Sequence, residues 1–512
     1  MPRPSAKASR VAYILVAVAV ALAAVPSHAT SPRDPETRAW WRITAALSND
    51  AMEGRDTGSA GYDRAARLVA NRFAAAGLVP MGEQGTWFQN VPMDEIRLDR
   101  AVITVGRRSL VLLHDVTLAP TASMPAAVDA PLAYRGYCGP EALGDVRGKL
   151  VVCHGTRRPE LTSGSAREEA VKAAGGIGIV SIADPGFTVE PPRWPFAYAR
   201  TVLLPGAKRD ADPFLRMTLN ADALKKVIGR DRRDAARLIA DGVKGAPLPS
   251  FDLDDPLHAE FRVTRRQIVS PNVVGLLPGS DPSLAEQAIV LSAHLDGYGY
   301  GTPVHGDGLY NGTLDDAAYV ALLIRLAEQR HGAGYRRPLL FVAWTGEEKG
   351  LLGSRWFVAH PTVPLARIAA NINLDQLRPI FPLDLLTVHA LDDTTLGDDV
   401  RAVAGAMHIA VQRDPEPERN LLRRSDQWNF LQAGVPATAF VFGYRPGSAS
   451  ERIYRQWYRT GYHKPQDDLA QPMDWKAAAD FNRFFRDLVD RVADQPVAPA
   501  WKADSALRPK AP

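Results

Sequence analysis

Residues 260–495 carry the pattern that most narrows the fold. Short apolar runs (NVVGLLPG, AIVLSAH, PLLFVAW, AANINLD and PATAFVF) alternate with helix-like stretches that follow Asp315, Lys349 and Asp474. That alternation predicts an α/β domain on a mixed, mostly parallel sheet flanked by helices. Three of the runs end in polar residues. AIVLSAH leads into His294-Leu295-Asp296, FVAWT into Gly346-Glu347-Glu348, and ANINL into Asp375. Between the first two lies Asn311-Gly312-Thr313-Leu314-Asp315-Asp316, just before a helix. Open α/β sheets bind ligands outside the carboxyl ends of their strands, so these side chains form the candidate site.

Histidine and carboxylates without cysteine make a donor set suited to zinc in a hydrolytic role. Neighbouring side chains point in different directions, so one member of Glu347-Glu348 can bind metal while the other faces water. A carboxylate that is not a ligand then acts as general base. In His294-Leu295-Asp296, the aspartate can hydrogen-bond the ring nitrogen turned away from the metal and fix its tautomer. Each residue alone has a plainer reading. Asp315-Asp316 could cap a helix, and Glu347-Glu348-Lys349 could open one as a solvated first turn. Asp375 resists that treatment, because an unpaired buried carboxylate is costly.

The rest of the chain divides around this block. Residues 1–29 run from basic through apolar (Val11 to Val25) to small, as a cleaved export signal does, so a secreted or periplasmic protein with no stable membrane anchor is expected. Residues 36–98 hold a helical stretch with an apolar stripe, SAGYDRAARLVANRFAAAGL, stopped at Gly77. From 100 to 258 the texture becomes β-rich, with runs VITV, SLVLL, KLVVC and GIGIVSI and one helix candidate, AREEAVKAAGG. The expected domains are therefore 30–98 with 260–495, an insert at 100–258, and a loose Pro/Ala-rich tail at 496–512. The formal net charge is +4, and Arg3, Lys7 and Arg10 lie in the leader. The body thus lacks the basic footprint of a nucleic-acid binder. Cys138 and Cys153 could form a disulfide or remain buried thiols.

Taken in order, AHLD, NGTLDDAA, GEEKGLLGS, NINLD and GYHKPQDD resemble the dizinc exopeptidase family of bacterial leucyl aminopeptidases and glutamate carboxypeptidase II, the M28 peptidases. The insert resembles the protease-associated domain that interrupts the catalytic domain in many members. The resemblance implies two Zn²⁺ per chain. Asp315 would bridge them, His294 and Asp375 would complete one, and Glu348 and His463 the other. It makes Glu347 the general base, Asp296 the partner of His294, and Tyr462 a group polarising the scissile carbonyl. It also implies a cis bond between Asp315 and Asp316.

Two features depart from the family pattern: Tyr319 stands where a small residue is usual, and Ser425-Asp426-Gln427 replaces SDH at a peripheral substrate contact. The activity implied is a dizinc metallo-aminopeptidase acting on peptides, through water activated between two metals about 3.5–4 Å apart. A glutaminyl-cyclase-like single-zinc acyltransferase, a carboxypeptidase or dipeptidase, and a non-catalytic receptor-like ectodomain are the alternatives. Arg423-Arg424 could meet a substrate carboxylate or be a solvated pair, and His305 and Asp307 are read as the rim of the cleft. Residue preference and oligomeric state are left open.

Overall fold

The computed structural model describes residues 32–156, 158, 160–162, 164–186, 194–207, 213–229, 233–330, 332–375 and 377–509. The expected export signal lies outside the described residues. Among those residues, no helix is long and apolar enough to cross a membrane.

Two helices come first among the described residues. Helix α1 (Pro35–Ser48) starts at Asp34, whose carboxylate accepts the Thr37 N–H at 2.7 Å. Helix α2 (Ala60–Ala75) starts at Ser59, whose hydroxyl accepts the Tyr62 N–H. Such caps satisfy amides that the first turn leaves without partners. There follow the long strands β1 (Phe88–Val105) and β2 (Leu257–Leu277), then β3 (Ala288–His294), helix α3 (Ala318–Arg330), β4 (Leu339–Trp344), helix α4 (Leu352–Ala359), β5 (Ile368–Leu374), β6 (Leu385–His389), β7 (Ala410–Gln412), β8 (Ala437–Phe442) and helix α5 (Trp475–Asp494).

The main sheet runs β7-β6-β8-β5-β3-β4-β2-β1. β3 pairs in parallel with both β4 and β5, and β5 with β8, while β2 runs antiparallel to β4 and β1. Alternate residues of the central strands face opposite sides. Leu291, Phe341 and Ile372 pack under α1, α2, α3 and α5, whereas Val290, Val342 and Trp344 pack under Phe357 and Phe430. Helices therefore cover both faces, which is why these strands read as continuous apolar runs. Tyr319 fits the first face without disturbance, buried edge-on against Phe481 of α5.

The expected domain boundaries fall inside paired strands. β1 and β2 run antiparallel from Phe88 opposite Val273 to Val105 opposite Leu257, with one register shift between Arg262 and Val263. The two parts of the chain are thus joined by a β-ribbon. Beyond it lies a six-stranded sheet, parallel at its centre, in the order 250–252, 132–135, 150–154, 178–182, 215–219, 116–117. Its own core includes Tyr134, Val152, Val180 and Met217. Cys138 and Cys153 form a disulfide beside Leu143, Val146 and Val171. The strand expected at 109–113 does not form. Only Arg108–Ser109 pairs with β1, because Asp115 accepts the Val111 N–H at 2.8 Å and closes a turn that sends Leu110 and Leu113 into the insert core.

The tail is not loose as expected. Trp501 donates its indole N–H to the Gly434 carbonyl at 2.7 Å, the Lys502 N–H reaches the Asp393 carbonyl, and Trp501 and Leu507 pack against the cluster around Phe430. A proline- and alanine-rich composition lowers the chance of helix but does not prevent docking of one large aromatic ring.

Candidate metal centre

Register places the site. His294 at the end of β3 lies opposite Trp344 of β4, and Ala293 opposite Leu374 of β5. The residues just beyond these ends, Glu347, Glu348 and Asp375, therefore gather around His294. Asp315 arrives from the loop before α3. Gly312, which opens that loop, has φ +58°, and a Cβ there would meet the Asp315 carbonyl oxygen at 2.5 Å, so the turn needs glycine. The Asp315–Asp316 bond is cis, as the resemblance implies. His463 comes from the turn after the helix Ala449–Thr460.

The five residues expected as ligands converge. His294 Nε2 lies 3.3 Å from Asp315 Oδ1 and 3.8 Å from Asp375 Oδ1. His463 Nε2 lies 3.6 Å from Asp315 Oδ2 and 3.7 Å from Glu348 Oε2. Two donor groups result, His294–Asp315–Asp375 and Asp315–Glu348–His463, and Asp315 belongs to both. Glu347 completes a third group with His294 and Glu348. Asp315 Oδ2 and Glu348 Oε1 are buried and have no hydrogen-bond partner among the described residues.

Electrostatics point the same way. Burial pushes the Glu347 carboxyl well above its usual range, with Asp375 and Glu348 adding to the rise against His294. Burial likewise raises Glu348 to about 7 and lifts Asp316. Asp315 is the exception, since Arg378, His294 and His463 outweigh its burial and hold it below the ordinary carboxylate range. A cluster of buried acids with orphaned oxygens is costly by itself and is relieved by cations.

Asp296 is in the site, with a different task from the one expected. The ring Nδ1–H of His294 donates to the main-chain carbonyl of Asp296 at 3.0 Å, while the Asp296 carboxylate stays 3.9 Å from that nitrogen. The carboxylate instead accepts the N–H groups of Glu347 and Glu348 and the Thr57 hydroxyl. The tautomer is still fixed with Nε2 facing the acids, but by backbone. Tyr462 stacks on the His463 ring, centroids 3.6 Å apart, and receives a 3.4 Å hydrogen bond from Arg424. Ser425 and Gln427 are buried and both accept from the Asn373 amide. That motif is scaffold under β5, not the peripheral substrate contact expected. His305 and Asp307 sit exposed near the tip of the hairpin 299–310, outside the cavity lining.

Sequence reasoning missed four residues here. The Tyr298 hydroxyl donates to Glu348 Oε2 at 2.5 Å and lies 3.2 Å from His463 Nδ1. Tyr198, from the insert, reaches the same nitrogen at 3.1 Å. Arg378, fully buried, lies 3.2 Å from Asp315 Oδ2. Asp467 accepts the Leu314 and Asp315 amides at 2.9 and 3.0 Å, pinning the Asp315 loop. Of these only Asp467 lay within a quoted motif, GYHKPQDD.

The site opens into a cavity of about 340 Å³. A larger cleft of about 990 Å³ adjoins it, lined by residues of the insert together with Glu348 and Lys349, and shares Tyr198 and Glu348 with the smaller cavity.

Residues 272–489 match the family model described as peptidase family M28. That segment is an M28 peptidase domain. The fold agrees. A zinc aminopeptidase from Bacillus subtilis superposes with a TM-score of 0.60 at 16% identity, covering 90% of this chain and 96% of that one. An aminopeptidase from Aneurinibacillus sp. strain AM-1 gives 0.59 at 16%, with the same coverage. Among curated relatives, this chain is 24% identical over 265 residues to a probable leucine aminopeptidase 2 of Aspergillus oryzae, 48% of this chain and 47% of that one. It is 25% identical over 173 residues to leupeptin-inactivating enzyme 1 of Streptomyces exfoliatus, 34% of this chain and 36% of that one. The chain thus spans less than half the length of these curated relatives.

Proposed function

We propose that this M28 chain is a zinc-dependent aminopeptidase that removes N-terminal residues from peptides. The observation that carries the reading is the pair of buried donor groups sharing Asp315, with Glu347 beside them. The donor chemistry, one imidazole and two carboxylates in each group, fits zinc. His294 and Asp375 would hold one ion and Glu348 and His463 the other, with Asp315 a member of both donor groups. Bound there, the ions would lower the pKa of water and polarise a carbonyl.

The chain's own groups supply the remaining chemistry. Glu347 is no member of either shared group, and its burial raises its proton affinity toward that useful for a general base. It takes the proton of the attacking water and delivers it to the leaving amine. Asp296 holds the Glu347–Glu348 turn by its two amides, and Tyr462 is placed against His463 to meet the substrate carbonyl. Buried Arg378 and Asp467 keep Asp315 ionised and its loop in place.

We also read the chain as exported, supported by the apolar leader and by the disulfide, a bond that persists in oxidising compartments. The insert reads as a protease-associated domain, supported by its separate sheet and core.

One experiment tests the central reading. Zinc is quantified in the wild type and in Glu347→Gln, alongside hydrolysis of leucyl-anilide and an N-blocked counterpart. The expected result is two zinc ions in both proteins, cleavage of the free-amine substrate only, and a loss of about 10²–10⁴-fold in kcat for the variant. Preferential cleavage of the blocked substrate, or normal turnover by the variant, overturns it.

A further inference from the structure

The insert has a strand-end site of its own. Its strands 150–154 and 178–182 run parallel. Beyond their carboxyl ends, Gly155, Thr156, Ala183 and Asp184 line the cleft of about 990 Å³. Such ends are where α/β sheets take ligands. The run AREEAVKAAGG lies after the first of these strands and contributes to the helix Gly164–Ala173, which turns Arg167 and Val171 inward, one helical turn apart. Arg167 is only 5% exposed and lines the cleft.

Its charge is unmatched. Nη2 donates to the carbonyls of Thr162 at 3.3 Å and Thr156 at 3.5 Å, and Nε is buried with no partner among the described residues. Burial lowers the proton affinity of this guanidinium, and no neighbouring acid among those residues offsets the effect. The other cations of the lining have acids. Arg200 meets Asp56 at 2.7 Å, Lys349 meets the same carboxylate at 3.3 Å, and Arg216 meets Glu168 at 2.6 Å. The remaining acids are taken, Asp184 by His154 at 3.5 Å and Glu348 by the metal centre. The hydroxyls of Thr117 and Thr201, in the same lining, are also buried without a partner among the described residues. A lone buried guanidinium is costly until an anion meets it. One unmatched positive charge calls for one negative charge, and its planar fork fits a carboxylate.

We propose that the insert carries a carboxylate-binding site built on Arg167, separate from the metal centre. Two sources offer that group. One is an acidic residue of a bound peptide, several positions beyond the scissile bond. The cleft meets the metal cavity at Tyr198 and Glu348, so a chain leaving the metals enters it. The other is a free small carboxylate. The first source rests on the aminopeptidase reading, and the second does not.

The test has two arms, both on the zinc-loaded full chain. The first compares alanine-based hexapeptide amides that begin with Leu and carry Glu, Gln or Lys at one of positions three to six. The second follows proteolysis within 100–258 during an acetate titration, with chloride as the control for ionic strength. A KM about tenfold lower for Glu than for Gln at one position, with Lys higher still, identifies the peptide, and that ratio is the size of a charge-assisted hydrogen bond. Protection by acetate but not chloride, without such a preference, identifies the free carboxylate. Either effect is lost in Arg167→Met and partly kept in Arg167→Lys. Should methionine unsettle the insert, the wild-type order of Glu, Gln and Lys and the weakened effect in Arg167→Lys still decide. Equal KM values at every position together with no protection by acetate overturn the proposal, as does an effect that survives Arg167→Met. Failure to cleave any hexapeptide overturns the peptidase reading and the peptide source, while the acetate arm still judges the site.

Discussion

The carboxylate of Asp296 accepts the main-chain N–H of Glu347 at 3.0 Å and that of Glu348 at 3.3 Å. One buried acid from the end of β3 thereby fixes the turn that follows β4, and with it the direction of two neighbouring glutamates. Removing it leaves a buried and a partly buried amide unmet, which the turn relieves by shifting. Asp296→Ala is expected to lower kcat by about 10–100-fold, the usual scale for outer partners of a metal site. Steady-state kinetics and zinc content measured together check this. A variant with full kcat would show that the turn holds itself.

Tyr298 gives a second prediction. Its hydroxyl bonds Glu348 Oε2 and lies beside the His463 ring, while its own ring packs edge-on against Tyr198 and His463. Tyr298→Phe keeps the packing and deletes the hydroxyl. Zinc affinity is expected to fall by roughly tenfold, read by titration against a competing chelator, with little change in thermal midpoint for the zinc-loaded protein. An unchanged affinity would make the hydroxyl incidental to the site.

Metal removal should be felt in stability as well as activity. Asp315, Asp316, Glu347, Glu348 and Asp375 are packed together in and around the metal centre, and burial raises Asp316, Glu347 and Glu348. A chelator is expected to abolish turnover and lower the unfolding temperature. Restoring zinc to about 100 times its Kd should return about 2.7 kcal/mol of stability by mass action. Calorimetry across a zinc titration decides the matter, and a transition that ignores zinc would contradict a site held in the folded state.

Part of the donor cluster was legible because strand ends are local features. An apolar run stopping at His294 or Asp375 announces both the sheet and the side chain at its edge. What escaped reading depends on contacts across the fold. The partner of the His294 ring is a backbone carbonyl, and no side-chain pattern encodes that choice. Tyr198 reaches His463 from a separate sheet, and Arg378 meets Asp315 across 63 positions of chain. The β-ribbon was hidden for another reason. Around Arg265 and Arg266 both of its faces meet solvent, so the usual alternation of apolar and polar residues is lost. The tail was misjudged because composition weighs proline and alanine heavily and one docking tryptophan lightly.

The disulfide offers a test that separates the stability of the insert from catalysis. Cys138 and Cys153 are 15 residues apart and sit with Leu143, Val146 and Val171 in a small cluster of their own. Neither lines the metal cavity. Closing a loop of that length restricts the unfolded chain and contributes about 3 kcal/mol in the chain-entropy model. Cys138→Ala/Cys153→Ala should therefore lower the stability of the insert by about that amount, seen as earlier proteolysis within 100–258 on warming. The M28 domain keeps its separate core against α1, α2, α3 and α5, so its transition should stay in place. If both transitions fall together, the ribbon couples the two cores into one cooperative unit, and the insert cannot be treated as independent.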